Sequence, residues 1–385
     1  MPLSRRGFVR TLSVGGAGAL GASLVGARGH EALRALDAAA LPLPPTARTG
    51  KALRLDSNEN PYGAAPAALD AVRAAFVEAS RYPGDATATL VEAIAAAHGV
   101  KPENVLLGAG STEVLRMAVL AFTGRDRALV SAAPTFEEPA RVAEAAGTEV
   151  RAVRVDGAMR LDLAAMADRS APGAGLVFLC NPNNPTSTVH PAAAVRDFVA
   201  QVRRRSPATV VLVDEAYHEF VDDPGYASAA PLALADPRVV VARTFSKVFG
   251  LAGLRVGYAL GARATLDEMR RHKLGLAVSG LAAAAALATL GLRDFADGQR
   301  ALNRQAREYT RRALADAGFA SAASEANFLL VDIRRDARAF QDACASRGVL
   351  VGRPFPPLIT HTRISIGTMA EMRQAVPILR QVLAG

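Results

Sequence analysis

Arg243-Thr244-Phe245-Ser246-Lys247-Val248-Phe249-Gly250-Leu251-Ala252-Gly253-Leu254-Arg255-Val256-Gly257-Tyr258 directly follows an apolar run that ends near Ala242. Two hydroxyl side chains precede Lys247, and Arg255 lies eight positions beyond it. Hydroxyls and a guanidinium are what a phosphate dianion needs. A nearby amine is what an aldehyde needs. Together they describe a phosphorylated aldehyde held covalently. A lysine is ordinarily a solvated surface charge, but the flanks here are apolar and glycine-rich.

Working outward, three more polar motifs each follow a strand-like run. Asp214-Glu215-Ala216-Tyr217 follows Val210–Val213. An acid at the carboxyl end of a buried strand can pair with a pyridine nitrogen and keep that ring cationic; alone, Asp214 could equally cap a turn. Cys180-Asn181-Pro182-Asn183-Asn184-Pro185-Thr186 follows Gly175–Leu179, where the prolines fix a turn that aims an asparagine amide. Gly108-Ala109-Gly110-Ser111-Thr112-Glu113 follows Val105–Leu107 and opens a helix, the form of a backbone anion site.

The remaining strand candidates are Ala128–Ser131 and Val239–Ala242. Between the strands lie periodic stretches at Ala67–Ser80, Thr87–His98, Thr112–Phe122, Glu137–Ala146 and Ala192–Arg203. Apolar runs alternating with helices predict an α/β fold with a mostly parallel sheet covered on both faces. Ligands of such sheets bind beyond the carboxyl ends of strands. The last hundred residues change character. An Arg-rich helical stretch, Asp294–Ala317, precedes strand candidates at Asn327–Asp332 and Arg363–Ile366, which predicts a smaller α+β domain. The segment 51–57 is expected to join it.

The chain has 385 residues, half of them hydrophobic, and a formal charge of +9. The cations are mostly arginines spread along the chain, and Arg203-Arg204-Arg205 fits a solvated helix end. Aromatic residues do not interleave with them, so no nucleic-acid partner is expected. Cys180, Cys344 and six scattered histidines show no ligand-like spacing, and no metal site is expected. His98 and His218 read as structural.

Ser4-Arg5-Arg6-Gly7-Phe8-Val9-Arg10, followed by a soft Gly/Ala-rich stretch to about Ala27, resembles a twin-arginine export signal. It predicts periplasmic delivery, with a cytoplasmic location as the alternative and no stable membrane insertion beyond the signal. Cleavage could fall after Ala27 or near Ala38-Ala39-Ala40. Export of an already folded chain would suit an enzyme that must first acquire a cytoplasmic cofactor.

From about Leu53 to Ala384 the chain resembles fold-type I aminotransferases of class I/II that depend on pyridoxal 5′-phosphate (PLP). Within that class it is most similar to the histidinol-phosphate aminotransferase subgroup. The residues that carry this are Leu55-Asp56-Ser57-Asn58-Glu59-Asn60-Pro61-Tyr62, Arg81-Tyr82-Pro83, the asparagine turn, Asp214–Tyr217, the lysine segment through Arg255, Asn327-Phe328-Leu329 and Arg363-Ile364-Ser365-Ile366-Gly367. The resemblance implies a large domain with a mostly parallel, seven-stranded-type sheet between helices, plus a smaller α+β C-terminal domain. On this chain that gives residues 1–40 as signal and linker, 41–60 as an arm contributing to the small domain, 61–280 as the PLP-binding domain and 281–385 as the small domain.

It also implies roles. Lys247 would hold the cofactor aldehyde and then act as a base, and Asp214 would pair with the ring nitrogen. Asn184 and Tyr217 would bond the ring oxygen, and Phe136 would stack on the ring. Ser111, Thr112, Thr244, Ser246 and Arg255 would hold the phosphate, with Tyr82 reaching the neighbouring subunit's phosphate in a homodimer. Arg363, Arg353 and Asn327 would bind substrate. Burial and Arg255 are expected to lower the Lys247 pKa. The implied activity is transfer of an amino group from a histidinol-phosphate-like or aromatic donor to a 2-oxo acid such as 2-oxoglutarate. A decarboxylase or lyase similar to threonine-phosphate decarboxylase is the alternative, and a non-catalytic exported binding protein a third. Two departures stand out: Ser187 replaces the glycine that usually ends the asparagine turn, and Val351–Pro357 is unusually proline-rich.

Overall fold

The computed structural model describes residues 52–385, so the proposed export signal lies outside the described residues. Seven strands form the main sheet in the order β2-β8-β7-β6-β5-β3-β4. They are β2 (Val105–Gly108), β3 (Ala128–Ala133), β4 (Val150–Arg154), β5 (Ala174–Cys180), β6 (Val210–Asp214), β7 (Val239–Thr244) and β8 (Gly257–Gly261). Only β8 runs against its neighbours, pairing antiparallel with both β2 and β7.

The strands read as unbroken apolar runs because both faces are covered. Val211, Val213, Val239 and Val241 pack on one side with Leu90, Ile94 and Phe198. Val210, Leu212, Val240 and Ala242 pack on the other with Val114, Leu115, Met117 and Met269. Two strands escape the sequence pattern. β4 is an edge strand with arginines at Arg151 and Arg154, and β8 is short, with glycine at each end.

The C-terminal layer holds β9 (Phe328–Asp332) antiparallel to β11 (His361–Ser365). A second small sheet pairs β1 (Leu53–Leu55) in parallel with β10 (Val349–Val351). Leu53–Leu55, within the segment expected to join this layer, is thus paired into it. Around these strands the helices Arg293–Ala315, Ala337–Ala345 and Met369–Ala384 enclose a separate core of Leu329, Val331, Phe340, Ile364 and Leu379.

The division at residue 281 is not where the packing changes. The helix Gly280–Leu290 buries Ala282, Ala283, Ala285 and Ala286 in the main core with Leu90 and Ile94. Its alanine-rich surface gives it no single polar face to turn outward, so it inserts between the sheet-covering helices. The chain passes to the second layer in the following long helix.

Ser187 is buried and left-handed (φ 61°). Its N–H donates to the Asn183 carbonyl (2.7 Å) and its carbonyl accepts from Glu325 N–H (2.9 Å). The turn therefore keeps a backbone shape suited to glycine despite the side chain, which costs about 1 kcal/mol.

Candidate active site

The ends of β2, β5, β6 and β7 open on one cavity of about 510 Å³. It is lined by Ser111, Thr112, Phe136, Asn184, Asp214, Tyr217, Thr244, Ser246, Lys247, Arg255, Arg353 and Arg363, so twelve of the fourteen residues singled out in the sequence meet there.

At one end sits a cradle of hydroxyls and a guanidinium. Thr244 Oγ1 bonds Ser246 Oγ (2.9 Å), and Arg255 Nη1 donates to Ser246 Oγ (3.4 Å) and to the Ala252 carbonyl (2.9 Å). Two glycines make room. A Cβ on Gly257 would lie 2.5 Å from the Ser111 nitrogen, and one on Gly110 (φ 75°) would collide with the Arg255 guanidinium. The helix Gly110–Phe122 therefore presents its N-terminus, with its free N–H groups, directly beside Arg255.

In the middle lie two ionisable groups, Asp214 buried and Lys247 half-buried. Asp214 closes β6, and its Oδ1 accepts from Ala216 N–H (3.1 Å). Burial pushes its carboxyl up to about 7, against the Ala216 hydrogen bond and the Lys247 charge. Lys247 Nζ donates to the Asn58 carbonyl (3.2 Å) and lies 5.5 Å from the Tyr217 ring centroid. Burial, and next the Arg363 charge, bring the amine down to about 8. Arg255 also lowers it, as expected, but less than Arg363, because its guanidinium is turned toward the hydroxyl cradle.

At the far end Arg363 is buried without a carboxylate. Its Nη1 donates to Asn184 Oδ1 (2.7 Å), its Nη2 donates to the Asp56 carbonyl, and its Nε has no hydrogen-bond partner among the described residues. Burial lowers its pKa. Arg353 Nη2 instead pairs with Glu137 Oε2 (2.6 Å), and both arginines face the Phe355 ring, at 4.5 Å for Arg353 and 4.9 Å for Arg363. A buried, unneutralised guanidinium beside an aromatic ring can seat an anion.

Two expectations separate from the cavity. Asn327 does not line it. Its amide donates to the carbonyls of Asn58 (3.1 Å) and Glu59 (3.3 Å), so it braces the cavity wall from behind rather than binding substrate. Tyr82 is 85% exposed, outside the cavity of its own chain. The Asn184 oxygen is already taken by Arg363, which fixes how that amide faces. His98 and His218 bond Tyr258 and Tyr226, and burial lowers both imidazole pKa values. Sequence reasoning assigned no role to Asn58, Ser365 or Glu137, because only the packed C-terminal layer shows what they touch.

Asp214 has a testable linkage. Its folded pKa is raised above the ordinary 3.8, so the folded state holds its proton more tightly and stability falls as pH climbs toward 7. Asp214→Asn is expected to raise the melting temperature of the ligand-free protein by a few degrees at about pH 8.5 and to change it little at about pH 5. Thermal melts at the two pH values check this.

A family described as aminotransferase class I and II matches residues 50–379. A histidinol-phosphate aminotransferase of Symbiobacterium thermophilum is 39% identical over 333 residues, covering 86% of this chain and 90% of that protein. An aromatic amino acid aminotransferase of Thermobifida fusca is 35% identical and covers 83% of this chain and 87% of that protein. The crystal structure of histidinol-phosphate aminotransferase from Sinorhizobium meliloti, in complex with pyridoxal-5′-phosphate, superposes with a TM-score of 0.79 at 29% identity, covering 86% of this chain and 91% of that one. The cradle, the buried acid, the half-buried amine and the unneutralised arginine thus lie on the fold of a known group of enzymes, and the chain belongs to the class I and II aminotransferase family.

Proposed function

We propose that this chain is a PLP-dependent aminotransferase that takes its amino group from a histidinol-phosphate-like or aromatic donor and passes it to a 2-oxo acid. The observation that carries this reading is the shared cavity of Lys247, Asp214 and the Arg255 cradle. The residues fit the cofactor. Gly110 and Gly257 leave open the space that a phosphate cradle requires, and Asp214 sits across β6 and β7 from the lysine segment. When bound, PLP supplies an aldehyde that captures amines and a cationic ring that accepts the electrons left when a Cα proton departs.

The chain's own groups do the rest. Ser111, Thr112, Thr244, Ser246 and Arg255 hold the phosphate. Asp214 would keep a proton on the ring nitrogen, Phe136 would pack on the ring, and Tyr217 and Asn184 would serve the ring oxygen. Lys247 would hold the aldehyde, and its amine would serve as the base for the donor's Cα proton. An amine drawn to about 8 is partly neutral near physiological pH, as a base must be. Arg363 receives the donor's anionic group, and its unpartnered Nε supports that role. Phe355, which lines the cavity beside Arg353 and Arg363, favours a planar donor side chain.

The exposed Tyr82, with exposed Phe76 and Val77 near it in the chain, supports a homodimer in which Tyr82 reaches the partner's phosphate. For residues 1–40 we propose twin-arginine export; replacing Arg5 and Arg6 with lysine is expected to block periplasmic delivery in cell fractionation, and undiminished delivery contradicts it.

A donor panel assayed with and without 2-oxoglutarate tests the activity. Glutamate formation that requires the acceptor, and a loss of at least about a thousandfold in Lys247→Ala, are expected; carbon dioxide release without acceptor contradicts it. Glu137 neutralises Arg353 at the cavity wall. Glu137→Gln is expected to lower KM for 2-oxoglutarate, which carries a second carboxylate, by roughly two- to fivefold. The KM for an aromatic donor should stay unchanged in the same assay.

A further inference from the structure

Asn58 follows β1 and is 1% exposed, with a left-handed backbone (φ 52°) that asparagine adopts more readily than most residues. Four of its polar groups are engaged. Its N–H donates to Ser365 Oγ (2.9 Å), and Ser365 Oγ donates back to Asn58 Oδ1 (2.7 Å). Its carbonyl accepts from Lys247 Nζ (3.2 Å) and from the Asn327 amide (3.1 Å). Its own amide nitrogen donates to Tyr217 Oη (3.0 Å).

This set of bonds has a direction. Ser365 fixes Asn58 Oδ1 as the acceptor, so the NH2 group must face Tyr217. An amide NH2 only donates, and a phenol has one proton. Tyr217 therefore accepts from Asn58 and keeps its proton for another partner. Its ring is held edge-on to Phe328 (5.1 Å, 74°), and the residue lines the cavity. We propose that Asn58 is a positioning residue: its amide aims the Tyr217 phenol proton into the cavity, while its carbonyl holds the Lys247 amine in place. Ser365 sets Asn58, so β11 of the C-terminal layer controls the polarity of a group in the main site. The inference rests on the PLP reading, in which that proton meets the cofactor's ring oxygen.

The charged or ionisable groups around Tyr217 are Arg363, Asp214, Cys180 and Lys247. None of them replaces the directional donation of Asn58. A donor aimed at a ring oxygen stabilises its negative charge, which lowers the pH at which the neighbouring proton leaves. Losing that aim raises the pH.

The test titrates the visible absorption band of the PLP-loaded protein. Asn58→Gly keeps a left-handed backbone and the carbonyl but removes the amide. Its midpoint is expected to rise by about half a pH unit or more, toward the value of Tyr217→Phe. Ser365→Ala, which frees the amide without removing it, is expected to move the midpoint the same way by less. In a Tyr217→Phe background Asn58→Gly is expected to add nothing, because the effect passes through the phenol. An unchanged midpoint in both Asn58→Gly and Ser365→Ala overturns the proposal, as does an undiminished shift in the Tyr217→Phe background. A parent protein that forms no visible band with PLP overturns the cofactor reading instead.

Discussion

Desolvation of two opposite ionisable groups at neighbouring strand ends is the constraint on which the rest of the site depends. Asp214 ends β6 opposite Ala242 of β7, and Lys247 follows β7 by three residues. Burial acts on both in opposite senses, raising the acid to about 7 and lowering the amine to about 8. One geometric fact, the stacking of apolar strands beneath them, thus prepares an acid that can hold a proton and an amine that can lose one. Divergent environments for paired titratable groups are how a single fold assigns acid and base.

A second buried pair holds those strand ends in register. Glu215, next to Asp214, meets Arg243, next to Thr244, at 2.7 Å, and Ser228 Oγ accepts from Arg243 Nη2 (2.9 Å). Arg243 Nη1 also reaches Glu219 Oε1 (3.4 Å), so removing Arg243 would leave the buried Glu215 carboxylate without its cation, a loss of several kcal/mol. From the other side, β1 and β11 bring Asp56, Asn58, Arg363 and Ser365 over the cavity, with Asn327 bracing the loop between them. The main sheet supplies the cofactor groups, and the C-terminal layer supplies the arginine for an anion and the asparagine that orients a phenol.

Much of this was legible in the sequence, for a physical reason. Strands covered on both faces must be apolar throughout, so β5, β6 and β7 stand out, and polar residues directly after them have little to do but line a site. What escaped detection depends on packing partners. β8 carries no long apolar run, and the helix Gly280–Leu290 has no amphipathic face to show which layer it joins. Asn327 looked like a substrate ligand because its motif is polar and follows the family pattern, yet its amide points at a backbone loop some 270 positions away in sequence. Arg353 and Glu137 lie 216 positions apart, and no local pattern announces their pairing.

Lysine is scarce in this chain: Lys51, Lys101, Lys247 and Lys273 are the four present. That scarcity makes the central claim directly measurable. The PLP-loaded protein is reduced with borohydride, digested and mapped by mass spectrometry. A phosphopyridoxyl group is expected on the peptide containing Lys247, at close to one per chain. An adduct on Lys101 or Lys273 instead, or none at all on Lys247, would contradict it.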